Sequence, residues 1–117
     1  MKYMERVNTD ILALVLAGII LCLSLLPKSA IPGDPHNDVL HHLLAYTALT
    51  GAAIFRRQSL PGIFLILAAI VLYGGVIEII QPMVGRVGSL RDFTINLAGA
   101  SLGFVLTTVA KQVAKSV

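Results

Sequence analysis

Charge, cysteine and aromatic rings are what this sequence has least of. Charged residues occupy 13% of its 117 positions and aromatic ones 6%, with one cysteine and no tryptophan. The single thiol, Cys22, excludes a disulfide within the chain. Set in an apolar run, it reads as a small buried hydrophobe. The scarcity of charge excludes an ordinary soluble domain. The chain is 56% hydrophobic with a mean hydropathy of +0.86, and a domain this small leaves too much surface exposed to hide that content from water. Lipid is the natural solvent. A formal charge of +3 and a pI near 9.4 would suit a nucleic-acid binder. The basic residues, however, sit at the ends of apolar runs, with no basic stripe and little aromatic interleaving, so nucleic acid is not expected as a partner.

What is present is four apolar runs. They extend over Asp10–Leu26, Asp38–Phe55, Pro61–Gln81 and Asp92–Ala110, and are closed by Pro27, Arg56–Arg57, Pro82 and Lys111. A helix of about 20 residues crosses about 30 Å of hydrocarbon. These runs predict one all-α domain over residues 1–117, a polytopic membrane protein with four transmembrane helices. The first run is expected to stay in the mature chain. Lys28 stands where signal cleavage wants a small residue, and Leu21 before Cys22 does not suit a lipoprotein signal. Lys2, Arg6, Arg56, Arg57, Lys111 and Lys115 fall on one side, and Lys28, Arg86 and Arg91 on the other. The excess predicts cytoplasmic termini, with the loops Pro27–Asn37 and Pro82–Arg91 facing outward. Gly99 and Gly103 form a GxxxG on the fourth helix. It is expected to serve packing within the bundle, in preference to a homodimer.

The polar residues inside the spans collect near the outer side. Asp38, His42 and Tyr46 follow i, i+4, i+8 on the second helix and share a face. Glu78 and Gln81 lie near the outer end of the third. Arg86 and Ser89 lie in the following loop, and Asp92 and Asn96 start the fourth helix. An ionisable side chain within a span costs about 2.5–3.5 kcal/mol on insertion scales, so such residues face inward and pair. Three helices contributing polar groups at one depth predict a hollow that opens outward.

Each member also has a plainer reading. Ser89 and Asp92 fit the S-x-x-D of a capping box. Asp38 suits a helix cap, Asn96 suits interhelical hydrogen bonding, and Tyr46 suits ordinary packing. Glu78 is too deep for a cap. It reads either as half of an ion pair with Arg86 or as a desolvated acid or base. His42 reads as a proton carrier, a metal ligand or a hydrogen-bonded core residue. Asp38, His42, Glu78 and Asp92 match no metal-binding spacing, so neither a metal nor a cofactor is expected.

These residues together resemble the VanZ-like family of small bacterial membrane proteins. The resemblance covers nearly the whole chain. It is carried by Asp38, His42 and Ala45-Tyr46; by Gly74 or Gly75 with Glu78 and Gln81; and by Gly85-Arg86, Ser89, Asp92, Asn96 and Gly99. Val39 departs from it, standing where the family often has lysine. The resemblance implies four membrane helices, a bacterial cytoplasmic membrane and, through the family's namesake, a link to teicoplanin-type glycopeptide resistance.

Three functions fit the residues. In an envelope-modifying enzyme, Glu78 or His42 would move a proton with Asp92 beside them, and Arg86 would hold an anionic head group. Asp38, Tyr46, Gln81, Ser89 and Asn96 would complete the substrate site. A binding module would hold a membrane lipid or lipid-linked envelope component without turnover. A structural protein would use the cluster to join helices. A transporter fits less well, because the inner halves of the helices offer no polar path.

Overall fold

A computed structural model describes residues 2–26, 38–85 and 89–116, with the backbone alone for residues 2–7 and 38. The described chain is helical, with no strand among those residues. Four α-helices follow one another: α1 (Lys2–Leu25), α2 (Asp38–Ile54), α3 (Leu60–Ile80) and α4 (Leu90–Ser116). A single 3-10 turn, Gln81–Val84, prolongs α3.

Local chemistry explains the boundaries. Ser59 caps α3, its hydroxyl accepting the Gly62 amide at 3.3 Å, and Pro61 sits in the first turn, where a missing N–H costs nothing. Pro82 cannot continue the α-helical ladder, and the chain tightens into the 3-10 turn. Gly85 ends that turn at φ 77°, a left-handed conformation suited to glycine, and its N–H returns to the Gln81 carbonyl. α4 runs past Lys111, where the apolar run ends, because Lys, Gln and Ala are strong helix formers and Lys111 is itself anchored.

Three helices are long and apolar enough to cross a bilayer: α1 through Asn8–Leu25, α3 with its 3-10 extension through Leu60–Val84, and α4. α2 is shorter. Its 17 residues, set between Asp38 and the Arg56–Arg57 pair, reach about 25 Å. Large apolar side chains cover the exterior. Leu14, Leu65, Leu72 and Ile79 are each about 70% exposed, and few residues of any spanning window are buried. Such a surface is compatible with a membrane protein and would be an aggregation hazard in water. Cys22 faces outward on α1, in contrast to the buried position its apolar setting suggests.

The chain runs up, down, up and down, so α1 parallels α3 and α2 parallels α4. The α2–α4 pair is the tightest in the molecule. A Cβ on Gly99 would stand 2.9 Å from the Leu43 carbonyl oxygen, and one on Gly103 would stand 2.7 Å from that of Thr47. Thr47 donates its hydroxyl hydrogen bond within this seam, to the Leu43 carbonyl at 2.6 Å and the Gly99 carbonyl at 3.2 Å. The GxxxG face is therefore covered by α2 of the same chain. α1 and α3 meet through side chains reaching backbone: Tyr73 hydroxyl to the Ala17 carbonyl, and Gln81 Nε2 to the Ser24 carbonyl at 3.1 Å. Among the described residues α1 and α4 do not touch, since α2 and α3 stand between them. The core comprises Ile20, Tyr46, Leu49, Ile70, Ile77 and Ala100.

Candidate functional site

Two polar groupings occupy opposite ends of the bundle. At the end formed by the α2–α3 turn, Arg57 pairs with Asp10 at 2.9 Å. Lys111 Nζ donates to the carbonyls of Ile54 (2.8 Å) and Arg57 (2.6 Å). A lysine from α4 thus caps the C-terminus of α2, adding to the Arg57 N–H on the Ile54 carbonyl and tying down the turn beyond it. The sequence suggests no such role, because Lys111 reads there only as the charge that ends a span.

The predicted site lies toward the other end. Its deepest part joins three helices. His42 Nδ1 on α2 and Asn96 Oδ1 on α4 are 3.0 Å apart, and Asn96 is 4% exposed. Opposite them α3 presents Gly74. A Cβ there would lie 3.2 Å from both Asn96 Nδ2 and the Tyr46 hydroxyl. Absence of a side chain at Gly74 is what lets α3 close over the pair. Asn96 Nδ2 has no hydrogen-bond partner among the described residues, although it is buried.

One to two turns nearer the end stands Glu78, 9% exposed. Its Oε2 accepts the backbone N–H of Ser89 at 3.0 Å. Ser89 Oγ in turn accepts the Asp92 N–H at 3.0 Å, and the Phe93 N–H returns to the Ser89 carbonyl at 3.1 Å. This is the S-x-x-D cap with one substitution of roles. In a capping box the acidic side chain three residues on accepts the cap residue's own N–H. Here Glu78, from a different helix, occupies that position. The Asp92 carboxylate is left half-exposed, with no partner among the described residues. Glu78 also stands within electrostatic reach of the Tyr46 phenol.

The structure thus gathers His42, Tyr46 and Asn96 around Gly74, and Glu78, Ser89 and Asp92 around the start of α4. Gln81 turns away toward α1 and is 1% exposed. Arg86 and the Asp38 side chain lie outside the described residues, and so does the suggested pairing of Arg86 with Glu78. Among the described residues no three His, Cys, Asp or Glu side chains come together as metal ligands. Sequence reasoning missed Tyr73, which shares a stripe with Ile77 and Gln81 at i, i+4, i+8 and turns it toward α1. That spacing was the available signal. No protein-family model, curated protein or solved structure matches the chain.

Proposed function

We propose that this chain is a VanZ-like integral membrane protein of the bacterial cytoplasmic membrane, with four spans and both termini in the cytoplasm. It acts on or binds a cell-envelope lipid or lipid-linked wall component from the outer side, in a role linked to teicoplanin-type glycopeptide resistance. The observation that carries this reading is the His42–Asn96 pair, held within an apolar bundle one to two turns below Glu78. Ionisable groups at that depth are costly and are retained where they serve a function. In this reading His42 moves the proton and Asp92 presents a carboxylate at the rim. Glu78 holds the start of α4 in place, its carboxyl oxygen accepting the Ser89 N–H. α2, short for a full crossing, is accommodated by local thinning of the bilayer and by Arg56 and Arg57 extending to the interface.

A structural reading has its own observation in favour. Glu78 and Asn96 each bond across to another element and so join helices. Glu78→Gln separates the two readings, because the amide oxygen still accepts the Ser89 N–H while the ionisable carboxyl is gone. Envelope lipids and wall precursors are compared in cells carrying equal membrane levels of wild type and this variant. A species formed or consumed only with wild type is the expected result, and its mass difference names the reaction class. Identical profiles for wild type, the variant and cells lacking the protein would overturn an enzymatic role. A ligand retained by purified wild type would then support binding, and no retained ligand would favour structure.

A further inference from the structure

We infer that Asn96 is a positioning residue that fixes His42 as the Nδ1–H tautomer, leaving the Nε2 lone pair as the reactive face of the imidazole. The inference rests on the reading of His42 as the proton carrier of the site. It starts from the donor inventory. A neutral imidazole carries one N–H and one lone pair, and an amide oxygen only accepts. With Asn96 Oδ1 3.0 Å from His42 Nδ1, the proton between them belongs to Nδ1. The hydrogen bond made by one ring nitrogen sets the chemistry of the other.

Asn96 is clamped in the α2–α4 seam one turn from Gly99, whose Cβ-less surface lies against α2. Its Nδ2 points toward the Gly74 side, where the Tyr46 phenol oxygen lies on the same small patch of α3. Asn96 Nδ2 and the Tyr46 hydroxyl thus both lie against Gly74, and the amide makes its hydrogen bond on the imidazole side. His42 Nε2 has no hydrogen-bond partner among the described residues, and His42 is only half-buried. The ring is held at one nitrogen and open at the other, as a general base requires. A single hydrogen bond of this kind shifts a tautomer ratio by on the order of tenfold. That is enough to reverse the modest preference of a free histidine side chain for Nε2–H.

The test reads the tautomer directly, without substrate. The full chain is labelled with ¹⁵N-histidine and placed in lipid nanodiscs at a pH where His42 is neutral. Its ring nitrogens are observed by NMR, with His36→Gln and His41→Gln identifying the signals. Wild type is expected to show a protonated Nδ1 and a bare Nε2. Asn96→Asp, which keeps an acceptor, should retain that pattern, and Asn96→Leu should reverse it by about tenfold. A wild-type His42 protonated at Nε2 would overturn the inference, because the amide would then be donating to Nδ1. An Asn96→Leu variant that folds and keeps the Nδ1–H form would overturn it as well. If Asn96→Leu does not fold, the wild-type and Asn96→Asp spectra decide. Unchanged lipid profiles in the Glu78→Gln comparison bear on the reaction alone, since the tautomer is read in the absence of any reaction.

Discussion

Gly103 and Gly18 are both glycines inside helices, and they should answer substitution in opposite ways. A Cβ on Gly103 would stand 2.7 Å from a backbone oxygen and 2.8 Å from the Thr50 Cβ, so α2 and α4 must move apart to admit it. A Cβ on Gly18 would meet nothing within 4 Å beyond its own helix backbone. Gly103→Ala is expected to lower stability by about 1–3 kcal/mol, the usual cost of overpacking. Gly18→Ala should be neutral or stabilising by up to about 1 kcal/mol, the helix propensity difference. Thermal unfolding of the two variants in the same detergent checks the contrast. The sequence already marks Gly103 as special through its spacing from Gly99. It does not reveal which helix fills the gap, because the spacing defines a small-residue face and not its partner. Glu78 is similar. Its depth marks it as significant, whereas its bond to a backbone amide eleven residues later depends on a turn that no hydrophobic pattern encodes.

At the scale of elements, α2 depends on its neighbours most. It is the shortest of the four helices, and Lys111 from α4 holds its last carbonyl, Ile54, together with that of Arg57 in the turn that follows. Two charge-assisted hydrogen bonds at this position outweigh the nearby Asp10–Arg57 pair, whose side chains are more than a third exposed and which is worth about 0–1 kcal/mol. Lys111→Met keeps the apolar stem and removes the donors. It should cost about 1–3 kcal/mol and speed amide exchange at Phe55 and Arg57, where the helix ends. Asp10→Asn should leave the same amides nearly as protected as in wild type. Hydrogen exchange read by mass spectrometry separates the two. The four elements were legible as apolar runs bounded by proline and arginine. The true extent of α4 was not, because a run ends where charge begins and a helix ends where its hydrogen bonds do.

For the whole molecule, the arrangement of charge makes a prediction about sidedness. Asp10, Arg57 and Lys111 meet at one end, and Glu78, Ser89 and Asp92 cluster toward the other. By the positive-inside rule the first end should face the cytoplasm. With Cys22 replaced by serine, single cysteines at Gln58 and Met83, both exposed, report the two sides. In intact cells an impermeant maleimide is expected to label Met83→Cys and spare Gln58→Cys. The reverse pattern would place the candidate site on the cytoplasmic side and remove its link to wall components.

The seam between α2 and α4 carries a consequence for biosynthesis. Helices enter a membrane in the order they are made, and the partner of α2 is made last, with α3 in between. In the proposed membrane setting, until α4 arrives His42, Thr47 and Thr50 face lipid or transient company, and the carbonyls at Ile54 and Arg57 lack their lysine. The final helix is therefore the one that completes the second. A chain stopped at Gly85 should be recognised by membrane proteases and cleared, so that incomplete copies do not accumulate beside finished ones.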